Sequence, residues 1–272
     1  LAGALSEDGG DAFARAIMTT DTVPKTASAE TGGFRVGGAA KGVGMIAPSL
    51  ATMLAFVTTD APVAPADLDR LVRETLRPCF EAITVDGCPS TNDAVILLAS
   101  GAAGGDRVVP GTPSWSHLEG AVDAVGRDLA AQLIRDGEGA THVVLVEVEG
   151  TADDADARTV AKAVADSPLV KTAAFGGDPN PGRILQAVGA AAAAVDAAAV
   201  DVRIGEADVV VGGVIPPAYF EAGGSLREVA SKAMAEPEWT LHVRVGPGPG
   251  RSRVLACDLS YDYVRINGEY TT

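Results

Sequence analysis

Strand-length apolar runs and helical segments alternate along nearly the whole chain, and this alternation limits the fold to α/β or α+β. Ser6, Glu7 and Asp8 can open a first helix with the apolar stripe Phe13, Ala14, Ala16 and Ile17, and Pro24 forbids its simple continuation. Thr31-Gly32-Gly33 is a turn signal before a short strand, Phe34 to Val36. Met53 to Val57 and Ala94 to Ala99 read as buried runs, with a helix from Asp67 to about Ala82 between them. A long helix from about Ser116 to Asp136 is ended by Gly137-Glu138-Gly139. A strand at Val143 to Val148 and a helix at Asp153 to Asp166 follow, then a helix after Arg183 and strands around Val202 to Val211. A helix near Leu226 to Ala235 precedes two last strands, Thr240 to Val245 and Arg251 to Cys257, joined through Gly246-Pro247-Gly248-Pro249-Gly250. The expectation is a mixed α/β chain of layered helices and sheets, without a fixed-period repeat.

Composition bounds the function. At 272 residues and 47% hydrophobic, the chain has enough apolar side chain for the core of one large or two modest domains. Its 36 Asp and Glu against 21 Lys and Arg give a net charge of −15, which phosphate backbones and anionic lipid repel. No nucleic-acid and no membrane partner is expected. Cys79, Cys88 and Cys257 are odd in number and widely spaced, which fits a reducing, cytoplasmic setting rather than a disulfide framework. His117, His142 and His242 lack metal-ligand spacing, so neither a metal nor another cofactor is expected. The alanine-rich run Ala187 to Val200 carries Asp196 and is too weakly apolar to span a bilayer, and no signal peptide is visible. The first residue, Leu1, is not Met, which reads as a fragment, a processed product or a truncation.

The most unusual stretch is Gly37 to Leu54, where glycines, an isolated Lys41 and small hydroxyl residues form what reads as a Gly-rich loop leading into a buried run. It is not a phosphate loop: Lys41 stands between Ala40 and Gly42 rather than in G-x-x-x-x-G-K-[ST], and Gly42-Val43-Gly44 has no third glycine in place for a dinucleotide fingerprint. Spacing alone leaves Thr52 an ordinary packing residue and Lys41 a solvated loop lysine. The glycines and Pro48 nonetheless allow a backbone tight enough to approach a ligand. Cys88 has no basic neighbour to make it reactive, and a buried thiol is the commoner case. Glu138 alone reads as part of a helix end, and Asp178 to Arg183 as a turn.

Several blocks together carry a specific resemblance. Met18-Thr19-Thr20-Asp21-Thr22-x-Pro24-Lys25, Ala40-Lys41-Gly42-x-Gly44-Met45-Ile46-x-Pro48 and Leu50-Ala51-Thr52-Met53-Leu54 are followed by Asp86-Gly87-Cys88-x-Ser90-Thr91-Asn92-Asp93 and Gly137-Glu138-Gly139-Ala140. Phe175-Gly176-x-Asp178-Pro179-Asn180-x-Gly182-Arg183 and the ending Asp258-Leu259-Ser260-x-x-Tyr263-Val264, with Asn267 and Tyr270-Thr271-Thr272, complete the set. In this order, over essentially the whole chain, they resemble the ornithine acetyltransferase (glutamate N-acetyltransferase) family. Ser167 to Thr172 and the last ten residues are similar to the paralogues of β-lactam (clavulanic acid type) gene clusters.

The resemblance implies an N-terminal-nucleophile fold and a precursor that cuts itself between Ala51 and Thr52. Residues 1–51 would then close an α chain and residues 52–272 form a β chain, with the two kinds assembling as a heterotetramer. Thr52 would be the nucleophile, and Thr19, Lys41, Thr52, Glu138, Asn267 and Thr272 would contact substrate. N-acetylornithine would donate and glutamate accept. The family's oxyanion hole lies in an earlier segment that this sequence lacks, and Thr31-Gly32 sits in the wrong context to replace it. Pro181 stands where the family usually has Trp, leaving that loop's shape open, and His142 stands where Lys is frequent, which reads as a tolerated surface change. An N-terminal threonine is a sensible nucleophile because its own α-amine, with an ordinary pKa of about 7.7–8.0, is a base near working pH. Two other readings stand beside this one: an amidohydrolase or aminopeptidase of the same mechanistic type, and an inactive remnant that binds amino acids.

Overall fold

The computed structural model describes residues 6, 8–47, 53–90, 92–223 and 225–269. Ala51, Thr52 and Thr272 lie outside the described residues. The chain divides into two compact units, residues 1–83 with 87–137 and residues 84–86 with 138–272.

The first unit opens with α1 (Gly10–Ala16), then β1 (Lys25–Thr31), β2 (Phe34–Lys41) and β3 (Leu54–Thr59). Thr31 pairs with Phe34 across Gly32 and Gly33, both at positive φ (56° and 85°), the turn that a two-residue hairpin requires. From Pro65 to Glu81 the backbone stays helical: α2 (Pro65–Leu71) passes through a π-helical turn at Val72–Leu76 into α3 (Arg77–Glu81). After β4 (Ile83–Thr84), where the chain enters the second unit, it returns as β5 (Ala94–Ala99). The sheet runs β1-β2-β3-β5, with β3 and β5 parallel and the other pairs antiparallel. The 23-residue α4 (Pro113–Arg135) packs on one face of it. Thr112 caps α4 by accepting the Trp115 amide at 3.2 Å, and Leu118, Val122, Val125, Leu129 and Leu133 form its buried stripe.

This unit corrects one expectation directly. The first part of the expected Gly-rich loop is strand: β2 continues through Gly37 and Gly38 to Lys41, and the irregular backbone begins at Gly42. The glycines serve close packing: a Cβ on Gly38 would lie 2.9 Å from Leu129 Cδ1 and 3.0 Å from the Phe56 carbonyl oxygen. β1 was not foreseen, because its inward positions are Lys25, Ala27, Ala29 and Thr31, a buried lysine and small residues that carry little apolar signal.

The second unit holds β6 (Val143–Thr151), α5 (Asp154–Ala165), α6 (Pro168–Phe175), α7 (Pro181–Gly189), β7 (Asp201–Ile204), β8 (Ala207–Val210), α8 (Leu226–Met234), β9 (Glu238–Arg244), β10 (Gly250–Cys257) and α9 (Tyr261–Glu269). Its sheet runs β4-β10-β6-β9-β7-β8. Val144, Val146 and Val148 of β6, Val202 of β7 and Leu241 and Val243 of β9 pack with Val160, Val164 and Ala161 of α5 and with α7 and α8 in one core. The alternate positions are charged: Glu147 meets His242 at 2.8 Å and Arg253 at 2.7 Å. This is the in-out alternation of a sheet with helices on one face. The mixed α/β expectation with layered helices and sheets holds. Among the described residues no helix is long and apolar enough to cross a membrane.

Candidate active site

In the first unit, three strand ends meet at one edge of the sheet. Lys41, the last residue of β2, pairs with Leu54, the first of β3, and Leu54 pairs with Ala94, the first of β5. Met53 stands just before β3 and Asp93 just before β5. The Met53 amide donates to Asp93 Oδ1 at 2.9 Å, and the Ala94 amide donates to the Met53 carbonyl at 3.1 Å. The other oxygen of Asp93 is buried and has no hydrogen-bond partner among the described residues. Burial pushes the Asp93 carboxyl above its ordinary pKa, while the Met53 amide and the Lys41 ammonium pull it back. Lys41 is buried, 9% exposed, and not a solvated loop residue.

Behind this edge lies an ionic hub. Asp21 Oδ1 accepts from Lys25 Nζ at 2.6 Å and from the Gly42 amide at 2.8 Å, and Oδ2 accepts from the Thr19 amide at 3.0 Å. Thr19, an expected substrate contact, is thus tied through one carboxylate to the residue after Lys41. Burial would raise the Asp21 pKa, but the Lys25 bond and the Gly42 and Thr19 amides outweigh it and hold the carboxyl below its ordinary value. Lys25, fully buried, is shared with Asp136 at 2.5 Å, and Asp136 also accepts from the Thr22 hydroxyl. Beyond Gly42 the chain turns through Met45, a non-glycine residue at φ 53°, a conformation that costs about 1–2 kcal/mol.

In the second unit, Glu138 and Asn267 come together. Asn267 Nδ2 donates to Glu138 Oε2 at 2.9 Å and to the Tyr263 carbonyl at 3.0 Å. The turn after Glu138 makes this possible. Gly139 has φ 70°, its carbonyl accepts from Ser260 Oγ at 2.5 Å, and a Cβ there would stand 2.3 Å from the Tyr263 amide nitrogen. Tyr263 OH donates to Asp86 Oδ2 at 3.3 Å, which ties α9 to the short segment 84–86.

Three minor expectations need revision. Cys88 is exposed, whereas Cys79 and Cys257 are buried; burial pushes the Cys79 thiol up to about 12 and raises that of Cys257. His142 is half-buried rather than free on the surface: its ring nitrogen lies 3.1 Å from Oδ2 of Asp258, a carboxylate 1% exposed that also takes the Thr141 and His142 amides. Pro181 serves as the first residue of α7, where a missing N–H costs nothing, and Asn180 caps the helix through the Arg183 amide at 3.2 Å. Asp21 and Asp93 were not singled out from sequence, although both stand inside the blocks that carry the resemblance. Their one signal is a carboxylate beside a lysine or a strand start, which is too common to select them.

Comparison with known proteins gives a consistent set of relatives. The ArgJ family profile matches residues 1–272. The arginine biosynthesis bifunctional protein ArgJ of Methylococcus capsulatus is 47% identical over 274 residues, covering 99% of this chain and 66% of the relative. That of Symbiobacterium thermophilum is 46% identical over 275 residues, covering 100% of this chain and 67% of the relative. The chain therefore spans about two thirds of the length of the curated relatives it matches. The crystal structure of the arginine biosynthesis bifunctional protein ArgJ from Bacillus halodurans superposes with a TM-score of 0.74 at 39% identity, covering 80% of this chain and 100% of that chain. With the fold likeness and a profile match over residues 1–272 in agreement, the chain belongs to the ArgJ family.

Proposed function

We propose that this chain cuts itself between Ala51 and Thr52, and that the freed Thr52 carries an acetyl group from N-acetylornithine to glutamate. The observation that carries the reading is the edge formed by Lys41, Met53 and Asp93, which organises the backbone next to Thr52 in a member of a family whose relatives are named for arginine biosynthesis. A length adds support. The segment Thr52 to Thr272 is 221 residues, about 81% of the chain. The solved relative is covered along its whole length by 80% of the chain.

In the proposed reaction the Thr52 hydroxyl first attacks the Ala51 carbonyl, the peptide C–N bond breaks as the acyl group moves to oxygen, and water hydrolyses the resulting ester. The products are residues 1–51 with a carboxyl end and residues 52–272 with an α-amine at Thr52. In the transfer cycle that amine takes the Thr52 hydroxyl proton as oxygen attacks the acetyl carbonyl. The bond to the ornithine nitrogen breaks, the proton passes to that nitrogen, and ornithine leaves. Glutamate's neutral amine then attacks the acetyl-Thr52 ester, and the hydroxyl is restored. Lys41 receives the substrate carboxylate, and Glu138 receives the ornithine side-chain ammonium. Thr19, Asn267 and Thr272 complete the polar contacts. The two products assemble as two α and two β chains in the cytoplasm.

Thr52→Ala tests the proposal. It removes the hydroxyl and, by blocking cleavage, the amine, so both processing and transfer are expected to vanish while the fold persists. A Thr52→Ala protein that still transfers acetyl at the unmodified rate would overturn the proposal.

A further inference from the structure

Glu138 and Asn267 are 129 positions apart in sequence, and one buried hydroxyl joins the two pieces of chain that bring them together. Ser260 is 5% exposed. Its Oγ donates to the Gly139 carbonyl at 2.5 Å and accepts from the Asp262 amide at 3.2 Å and the Tyr263 amide at 3.4 Å. A hydroxyl has one proton to give and two lone pairs to fill, so Ser260 spends its whole capacity on these three backbone groups. The first belongs to the turn after Glu138. The other two belong to the first turn of α9, the helix that carries Asn267. The strap that holds Ser260 is itself fixed. The Leu259 amide donates to the Lys171 carbonyl at 3.2 Å, and the buried Lys171 Nζ donates to the Cys257 carbonyl. Asp258 Oδ1 accepts the Thr141 and His142 amides at 2.8 and 3.1 Å, and the Asp258 amide donates to the His142 carbonyl at 3.1 Å. The far end of the Glu138 turn is therefore anchored on the same strap.

We propose that Ser260 is a positioning residue that sets selectivity for a substrate with a cationic side chain: by tying the Gly139 turn to α9, it holds the Glu138 carboxylate against Asn267 in the orientation that takes an ammonium. The inference rests on the reading of Glu138 given above. Asn267 Nδ2 donates to Glu138 Oε2 at 2.9 Å and to the Tyr263 carbonyl at 3.0 Å, so the amide that orients the carboxylate is itself held by α9. A carboxylate set in place beforehand loses little freedom when the cation arrives, which favours binding. Ser260 acts through Glu138 and Asn267, and no bond forms or breaks at it.

The test uses the full-length protein and two ligands, ornithine and norvaline, which share a carbon chain and differ in the terminal amine. Calorimetry gives a dissociation constant for each without any turnover, and the ratio of the norvaline constant to the ornithine constant measures selectivity for the cation. Ser260→Ala is expected to lower that ratio about 10- to 100-fold, the worth of one charge-assisted hydrogen bond, by weakening ornithine and leaving norvaline little changed. The kcat with N-acetylornithine is expected to change little, because the ammonium contact is the same in substrate and transition state. Ser260→Thr, which keeps the hydroxyl, is expected to keep most of the ratio, and a Thr variant that loses as much as Ala overturns the inference. A merely structural Ser260 would lower the yield of folded protein or weaken both ligands alike with the ratio unmoved, and that result also overturns it. Should Ser260→Ala fail to fold, Ser260→Cys takes its place, because a thiol is a weak donor and acceptor. A folded Cys variant with the unmodified ratio overturns the inference. Glu138→Gln separates this inference from the reading beneath it. A ratio unchanged by Glu138→Gln removes the reading of Glu138 and this inference with it. A ratio lost in Glu138→Gln and kept in Ser260→Ala removes this inference alone.

Discussion

Asp21 shows how a single side chain can hold a site that it need not touch. Its carboxylate joins Thr19, Lys25 and Gly42 in one hub, all inside the first unit. Asp21→Ala leaves Lys25 with Asp136 and the Val23 carbonyl and strands the buried Gly42 amide, a loss of about 3–5 kcal/mol for a broken buried pair. Chemical denaturation at neutral pH measures it, and a loss below about 1 kcal/mol would contradict the hub. The pH sign follows from the depressed folded pKa. Asp21 contributes stability in full above its ordinary value of 3.8, and the contribution is lost as pH falls below that value through the folded pKa. Asp21→Asn is therefore expected to show a shallower decline of stability on acidification below about pH 4 than the unmodified chain. Lys41 is the second residue-scale case. Lys41→Met is expected to reduce kcat/KM for N-acetylornithine by about 10- to 150-fold, the worth of about 1.5–3 kcal/mol for one charge-assisted hydrogen bond. Unchanged kinetics would return Lys41 to a packing role. Neither Asp21 nor the burial of Lys41 was legible in the sequence, because an acid and a lysine among polar neighbours look the same on a solvated loop as in a buried pair.

At the scale of elements, sequence periodicity found most helices and strands, and it failed where the physics departs from a two-letter pattern. β2 was cut short at Val36 because glycine and alanine signal a loop, whereas here they let α4 and a neighbouring strand approach. α9 was missed because a nine-residue helix with no buried residue has no apolar stripe to read. α6, after Asp166, carries the start signals Ser167 and Pro168 but is only eight residues long. The helix expected from Asp67 to Ala82 is present, with a π-helical turn that no residue type announces. α9 depends on Gly139, where any side chain must displace the Tyr263 backbone. Gly139→Ala adds the left-handed penalty of about 1–2 kcal/mol, and undocking α9 relieves the clash more readily than straining the core. Amide hydrogen exchange is expected to accelerate over 261–269 while β10 keeps its protection. Protection retained on α9 would contradict the role assigned to this turn.

For the whole molecule, the net charge argued against nucleic-acid and membrane partners, an expectation, and alternation gave the mixed α/β class. The order of the blocks, rather than any residue alone, gave the family. The expected substrate contacts divide between the units. Thr19 and Lys41 are organised by Asp21 and the strand ends of the first unit, and Glu138 and Asn267 are organised by the Gly139 turn of the second. No pattern in the sequence alone reveals such pairing, because it is made by long-range register. The central claim is that Thr52 is first freed and then acetylated. Intact mass spectrometry of the full-length protein incubated with N-acetylornithine tests both steps together. The account predicts a fragment running from Thr52 to Thr272, 221 residues, that gains the mass of one acetyl group and loses it when glutamate is added. A single uncut chain, or a cut fragment that never carries acetyl, would contradict it.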